Sequence, residues 1–253
     1  MSHEEAGAAR RPPRAIFTQP PTVRGDDPSA SKRKVQTVQR GRLATVAIHV
    51  YDRLLGPHQV PRELRPIFRR LRAGTLAVDC GANVGFVTAL VAARGADVYA
   101  FEPNPHAFAV LSSTFAANPR IHCLQQAVAA TGGVARLHFH ANAPSDDLAW
   151  STGSSLLAAK PNVDPGSFVE VETVDLDAFL GGLDRPVTLL KLDVEGAEIE
   201  ILERLLDSGR LGAIGHVLVE MHDRRIPGLE ERGAELRRRL DVAAYRRVHL
   251  DWM

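Results

Sequence analysis

Apolar positions along this chain fall into short runs separated by helical stripes. Residues 75–80, 97–101, 121–125, 188–194 and 216–221 are apolar runs of strand length. Between them, 85–94, 105–117 and 197–206 carry helical spacing; Gly95 ends the first and Asn118-Pro119 the second. Short apolar strands alternating with helices predict a parallel sheet covered on both faces. Residues 134–140 and 168–174 alternate apolar and polar instead, which predicts an inserted antiparallel hairpin. The polar stretch 141–167 between them is long for a loop in a compact domain, so it reads as functional or disordered. Residues 229–240 read as a charged helix and 245–251 as a sixth strand.

The N-terminal third follows another pattern. Pro12, Pro13, Pro20, Pro21 and Pro28 break any helix, and few apolar residues are available to bury. Residues 35–55 are loosely helical, and a second helix is expected from Pro61 to Arg72, stopped by Gly74. The chain is therefore expected to divide into a disordered Arg/Pro-rich arm over 1–34, a helical segment over 35–73 and an α/β domain over 74–253.

Composition narrows the class. The 253 residues are 45% hydrophobic and 24% charged, as in an ordinary soluble domain. No apolar run approaches the roughly 18 residues that span a bilayer, and no apolar leader opens the chain, so no membrane contact and a cytoplasmic location are expected. Cys80 and Cys123 are the two cysteines, which excludes a disulfide framework or a zinc cluster. Residues 1–72 hold 15 basic and 6 acidic residues, against 16 and 24 in the remainder. A basic head can mark a nucleic-acid contact, but no aromatic residues interleave with it as stacking platforms. A solvated arm is the preferred reading.

The candidate chemistry begins at Asp79-Cys80-Gly81-Ala82-Asn83-Val84-Gly85, where a strand ends in an acid and a glycine-rich turn opens a helix. Gly81 permits a tight turn and close approach of a ligand, and such sheets bind ligands at the carboxyl ends of their strands. The dinucleotide fingerprint needs a middle glycine, where this chain has Asn83. Asp79 repels phosphate there and suits a cationic ligand. In Phe101-Glu102-Pro103-Asn104-Pro105, Glu102 ends the second strand, where a carboxylate accepts both ribose hydroxyls.

These two stretches look like the first motifs of a class I methyltransferase. A third, Leu190-Lys191-Leu192-Asp193-Val194-Glu195-Gly196-Ala197-Glu198, resembles the L-K-x-D-x-E-G-x-E signature of the FkbM family. Ser154-Ser155-Leu156 and Val174 to Asp177 fit the same family, and the resemblance covers roughly 75–222. It implies a Rossmann-like three-layer sandwich with a seven-stranded, mostly parallel sheet, and S-adenosylmethionine over the strand ends. By that resemblance, Asp79, Gly81 and Gly85 cradle the methionine part, with Asn83 in the same turn. Glu102 holds the ribose, Asn104 lies beside the adenosine, and Ala127 and Val128 fall where adenine rests or serve only as core. The seventh strand has no residues left in this sequence. An exposed sheet edge invites pairing, so a homodimer is an expectation.

On the acceptor side, Asp193 ends the fourth strand beside the expected methyl group. Lys191 is two residues earlier on the same strand face, either as a tie to Glu195, Glu198 or Asp193 or as a substrate contact. Glu220 and His222 end the fifth strand; His222 is the first choice for general base and Asp193 the second. Asp193, Glu220 and His222 also make a plausible divalent-metal set, although Mg²⁺ is not expected. The resemblance implies methylation of a small-molecule hydroxyl on a natural product or sugar. The rival readings are a NAD-dependent oxidoreductase and a non-enzymatic nucleic-acid-binding module.

Overall fold

The computed structural model describes residues 64–143 and 150–250. The arm over 1–34, the 35–55 stripe, residues 61–63 and residue 251 of the sixth strand lie outside them. In chain order the elements are α1 (Arg65–Arg70), β1 (Leu76–Cys80), α2 (Phe86–Ala92), β2 (Asp97–Phe101), α3 (Pro105–Phe115), β3 (Ile121–Leu124), β4 (Ala127–Ala129), β5 (Gly133–His140), β6 (Val163–Asp175), α4 (Leu176–Gly181), β7 (Leu189–Leu192), α5 (Glu198–Asp207), β8 (His216–Val219), α6 (Glu230–Val242) and β9 (Val248–Leu250).

The main sheet has the order β3-β2-β1-β7-β8-β9, and every pair in it is parallel. Successive side chains of its central strands serve opposite faces. Leu76, Val78 and Cys80 of β1, Leu190 and Leu192 of β7, and Val217 and Val219 of β8 pack on one side with α4, α5 and α6. Ala77, Leu189 and Leu218 pack on the other with α1, α2 and α3. This gives the three-layer α/β sandwich expected from the apolar runs.

The helices start where the sequence supplies caps. Asn104 caps α3, its side-chain oxygen accepting from His106 N–H and Ala107 N–H, with Pro105 at the first helical position. Asp175 caps α4 through the Ala178 N–H. Pro66, in the first turn, opens the described part of the N-terminal helix.

A smaller sheet sits apart, in the order β4-β6-β5. Its β5–β6 pairing is the expected antiparallel hairpin; β4 joins β6 in parallel, a strand the pattern did not separate from β3. The main sheet holds six strands among the described residues, with β9 parallel to β8 at its edge. The seven strands implied by the resemblance reduce to six because no strand inserts between β8 and β9. Among the described residues, no helix is long and apolar enough to cross a membrane.

Candidate active site

The sheet reverses its winding direction between β1 and β7, and the motifs converge there. After β1 the chain turns sharply at Gly81, whose N–H donates to the Phe101 carbonyl at 3.0 Å. Gly81 has φ +76°, and a Cβ on it would lie 1.8 Å from the Asp193 carbonyl oxygen, so only glycine fits. Asn83 adopts a left-handed φ of 50°, and its own side-chain oxygen accepts the Val84 N–H in the turn before α2.

Glu102 reaches this turn from the end of β2. Its two carboxylate oxygens accept the Asn83 and Asn104 N–H groups, each at 2.8 Å. The residue is 5% exposed, and burial pushes its carboxyl up to about 7 against the pull of those two donors.

From β7, Lys191 Nζ donates to the Gly81 carbonyl at 2.6 Å and lies 3.1 Å from Asp193 and 3.5 Å from Asp79. Burial works against its charge, but Asp193 and Asp79 overcome that and hold its pKa above the ordinary lysine range. Thr88 Oγ1 donates to the other Asp79 oxygen at 2.6 Å. Lys191 is thus a tie between the strand ends, one of the two roles its position allowed.

Beyond Asp193 the chain bends through Glu195, at a left-handed φ of 58°. Such strain in a non-glycine residue persists only where the surroundings hold it. Here the surroundings are charged. Lys160 pairs with the Glu195 carboxylate in a short contact and donates to the Gly153 carbonyl at 3.0 Å. His222 Nε2 lies 3.0 Å from Glu195, and its Nδ1 lies 3.0 Å from Glu198. Burial disfavours the charged ring, but Glu195 and Glu198 outweigh it and push His222 up to about 10. Burial likewise disfavours the Glu195 carboxylate, but His222 and Lys160 hold it near 2. With both ring nitrogens taken and the ring protonated, His222 has no lone pair for the general-base role first assigned to it.

The stretch 151–160 closes over these groups. Asn83 Nδ2 donates to Ser151 Oγ at 3.1 Å, Asn104 Nδ2 to Ser154 Oγ at 3.3 Å, and Ser155 Oγ to the Glu195 carbonyl at 2.6 Å. Underneath is a pocket, partly open to solvent. Gly81, Asn83, Glu102, Ala127, Val128 and Asp193 line it together. Asp79, Gly85, Asn104, Lys191 and His222 lie behind its wall. Gly85 packs on α3, where a Cβ would meet the Phe115 ring at 2.6 Å. Glu220 lines a neighbouring cleft instead, and burial, then Asp193, raises its pKa above the usual carboxylate range.

Sequence reasoning missed Lys160, Ser151 and Glu195 as wall or latch residues. Only Glu195 carried a signal, its place in the third motif. Asp193, Glu195 and His222 bring ligand-type atoms within 4.8 Å of one another. Glu195 takes the place that Glu220 held in the expected metal set. A divalent ion there would have to displace Lys160 and deprotonate His222, so the donor set is a poor fit for one.

A profile of the methyltransferase FkbM domain matches residues 79–247. Over 146 residues the chain is 27% identical to the hexuronic acid methyltransferase AglP of Haloferax volcanii, covering 57% of this chain and 54% of that protein. Over 164 residues it is 30% identical to Methyltransferase 1 of Beauveria bassiana, covering 58% of this chain and 64% of that protein. It therefore spans less than two thirds of the length of either relative. A crystal structure of methyltransferase FkbM from Methylobacillus flagellatus KT aligns at 17% identity with a TM-score of 0.34, over 53% of this chain and 29% of that one.

Proposed function

The chain belongs to the FkbM methyltransferase family, and on that footing we propose that it moves the methyl group of S-adenosylmethionine onto a hydroxyl of a small molecule. The observation that carries the proposal is Glu102. Its carboxylate is fixed by two backbone N–H groups on a pocket wall, with lone pairs left for vicinal ribose hydroxyls. Ala127, Val128, Leu137 and Leu156 give the same pocket an apolar side that suits a purine. Asp193 supplies negative charge on its wall, suited to an ammonium. Asn83 spends its side-chain oxygen on the Val84 N–H, in the turn that leads into α2.

Bound S-adenosylmethionine supplies an electrophilic methyl on a sulfonium. The chain's own part is to orient the acceptor and accept its proton. Glu195 is a weak base, because His222 and Lys160 hold it down. Glu220, raised by burial on the adjoining cleft, is the better proton acceptor in this reading. His222 acts as a positioning residue, fixing Glu195 and Glu198.

Calorimetric titration of S-adenosylmethionine, S-adenosylhomocysteine and NADH, with EDTA or with Mg²⁺, tests the proposal. Micromolar binding of the first two, unchanged by EDTA and absent for NADH, is the expected result. No binding of either to a folded sample would overturn it.

A further inference from the structure

His216 opens β8, and His249 sits in the middle of β9 beside Leu218. Both project to the sheet face that carries Leu218 and packs on α1. His216 Nδ1 and His249 Nε2 lie 3.4 Å apart, and the rings stack with centroids 5.6 Å apart at 26°. From α1, Arg70 Nη1 reaches His216 Nε2 at 3.3 Å. Arg247, just before β9, adds its positive charge to the same corner. The β7 residue beside His216 is Leu189, which is uncharged. His216 is at the amino end of β8, roughly 13 Å along the strand from Glu220 at the other end, so this corner is separate from the cofactor pocket.

A guanidinium only donates, so His216 Nε2 accepts from Arg70. The His216 proton is then on Nδ1 and points to His249 Nε2, which accepts, and His249 keeps its own proton on Nδ1. Both rings are neutral in this relay. Burial, then His249, Arg70 and Arg247, holds His216 below the ordinary histidine range, and burial does the same to His249. Among the described residues, no carboxylate pairs with any of the four groups. Positive charge is therefore concentrated at one point with nothing to offset it.

We propose that this corner binds a phosphate group, free or on a small molecule, with Arg70 and Arg247 as clamps and His216 as a proton-linked donor. Once an oxyanion draws the Arg70 fork away, His216 Nε2 is released to take a proton and donate to the same anion. Binding therefore takes up a proton. A phosphate dianion has the charge and the three oxygens that two forks and an imidazolium use, whereas a carboxylate satisfies one fork. A nucleic-acid backbone would call for a stripe of cations and exposed aromatic platforms. This cluster is a point, and its two rings stack on each other.

Calorimetry on the full chain tests this with inorganic phosphate, glycerol 3-phosphate and sulfate, against acetate and a single-stranded DNA oligomer. Sulfate stays a dianion across the range, so the pH dependence of its binding belongs to the protein. All three tetrahedral anions should bind saturably, and acetate should not. Sulfate affinity should fall up to about tenfold between about pH 6.5 and about pH 7.5, with proton uptake read from buffers of different ionisation enthalpy. Arg70→Gln and Arg247→Gln should each weaken sulfate binding roughly tenfold, the size of one charge-assisted hydrogen bond. Arg247 is exposed, so its variant separates lost binding from lost fold. His216→Gln should bind weakly and without pH dependence. Tighter binding of glycerol 3-phosphate than of inorganic phosphate would assign the site to a phosphate ester, and equal affinities to the free ion. No saturable binding of the three anions, a sulfate affinity flat with pH, no loss in Arg247→Gln, or binding of the DNA oligomer alone would overturn the proposal.

Discussion

His222 Nε2 and Glu195 Oε2 meet at 3.0 Å, and the histidine is 1% exposed. With Lys160 on one side and Glu198 on the other, the four side chains form a row of alternating charge that ties the 151–160 stretch to α5 and the end of β8.

Breaking that row should cost stability. His222→Ala leaves two carboxylates without their shared cation, a loss on the order of 3 kcal/mol, which urea denaturation would measure. A loss well under about 1 kcal/mol would mean the pairs are offset by solvent. The pH dependence has a definite sign. The folded pKa of about 10 lies above the unfolded 6.5, so the contribution is whole below pH 6.5 and is lost as pH rises through 10. The gap in Tm between wild type and His222→Ala should narrow across that window.

Glu102 makes the opposite prediction for ligand affinity. Its carboxyl, near 7, must be ionised to accept from ribose hydroxyls, so S-adenosylhomocysteine affinity should weaken as pH falls below 7. Glu102→Gln should bind roughly tenfold or more weakly, with a flatter pH profile, read by calorimetry at about pH 6 and about pH 8. Because the folded pKa is raised above the unfolded 4.5, ionising Glu102 costs the ligand-free fold stability as pH rises toward 7.

Two glycines with nearly the same backbone angle should respond differently to alanine. At Gly81, φ +76°, the new Cβ would collide with the Asp193 carbonyl and force β1 from β7. At Gly209, φ +74°, nothing lies within 4 Å. Gly209→Ala should cost about 1 kcal/mol, the backbone term alone. Gly81→Ala should cost several times that and abolish ligand binding. Equal melting temperatures for the two variants would refute the steric account.

Lys160→Met should release the 151–160 stretch while leaving the main sheet intact. Faster amide exchange over 151–160, with β1 and β7 unchanged, is the expected pattern. Uniformly faster exchange would show that the latch supports the whole domain.

The main sheet was legible because its strands are apolar runs separated by glycine, proline and asparagine. Glu102, Asn83 and Asp193 were legible because their motifs end strands. The second sheet was harder to read. Ala127–Ala129 is too short to show any period. Residues 163–167, read as the end of the polar loop because of Pro165 and Gly166, are instead the start of β6. The register slips between His138↔Phe168 and His140↔Val163, and β4 pairs only with residues 173–175, so no ladder bond on that side needs the proline N–H. Lys160 sits in a stretch without periodicity, and its partner is 35 residues away.

The hydrogen bond from Lys191 to the Gly81 carbonyl spans 110 residues of chain. The floor of the pocket therefore does not exist in the first two βα units, although they hold the glycine turn and Glu102. During synthesis the growing polypeptide has no complete pocket until β7 has emerged and docked beside β1. Ligand binding thus reports a long-range step in folding, the docking of β7 beside β1, and a chain stalled before residue 193 would lack that wall of the pocket.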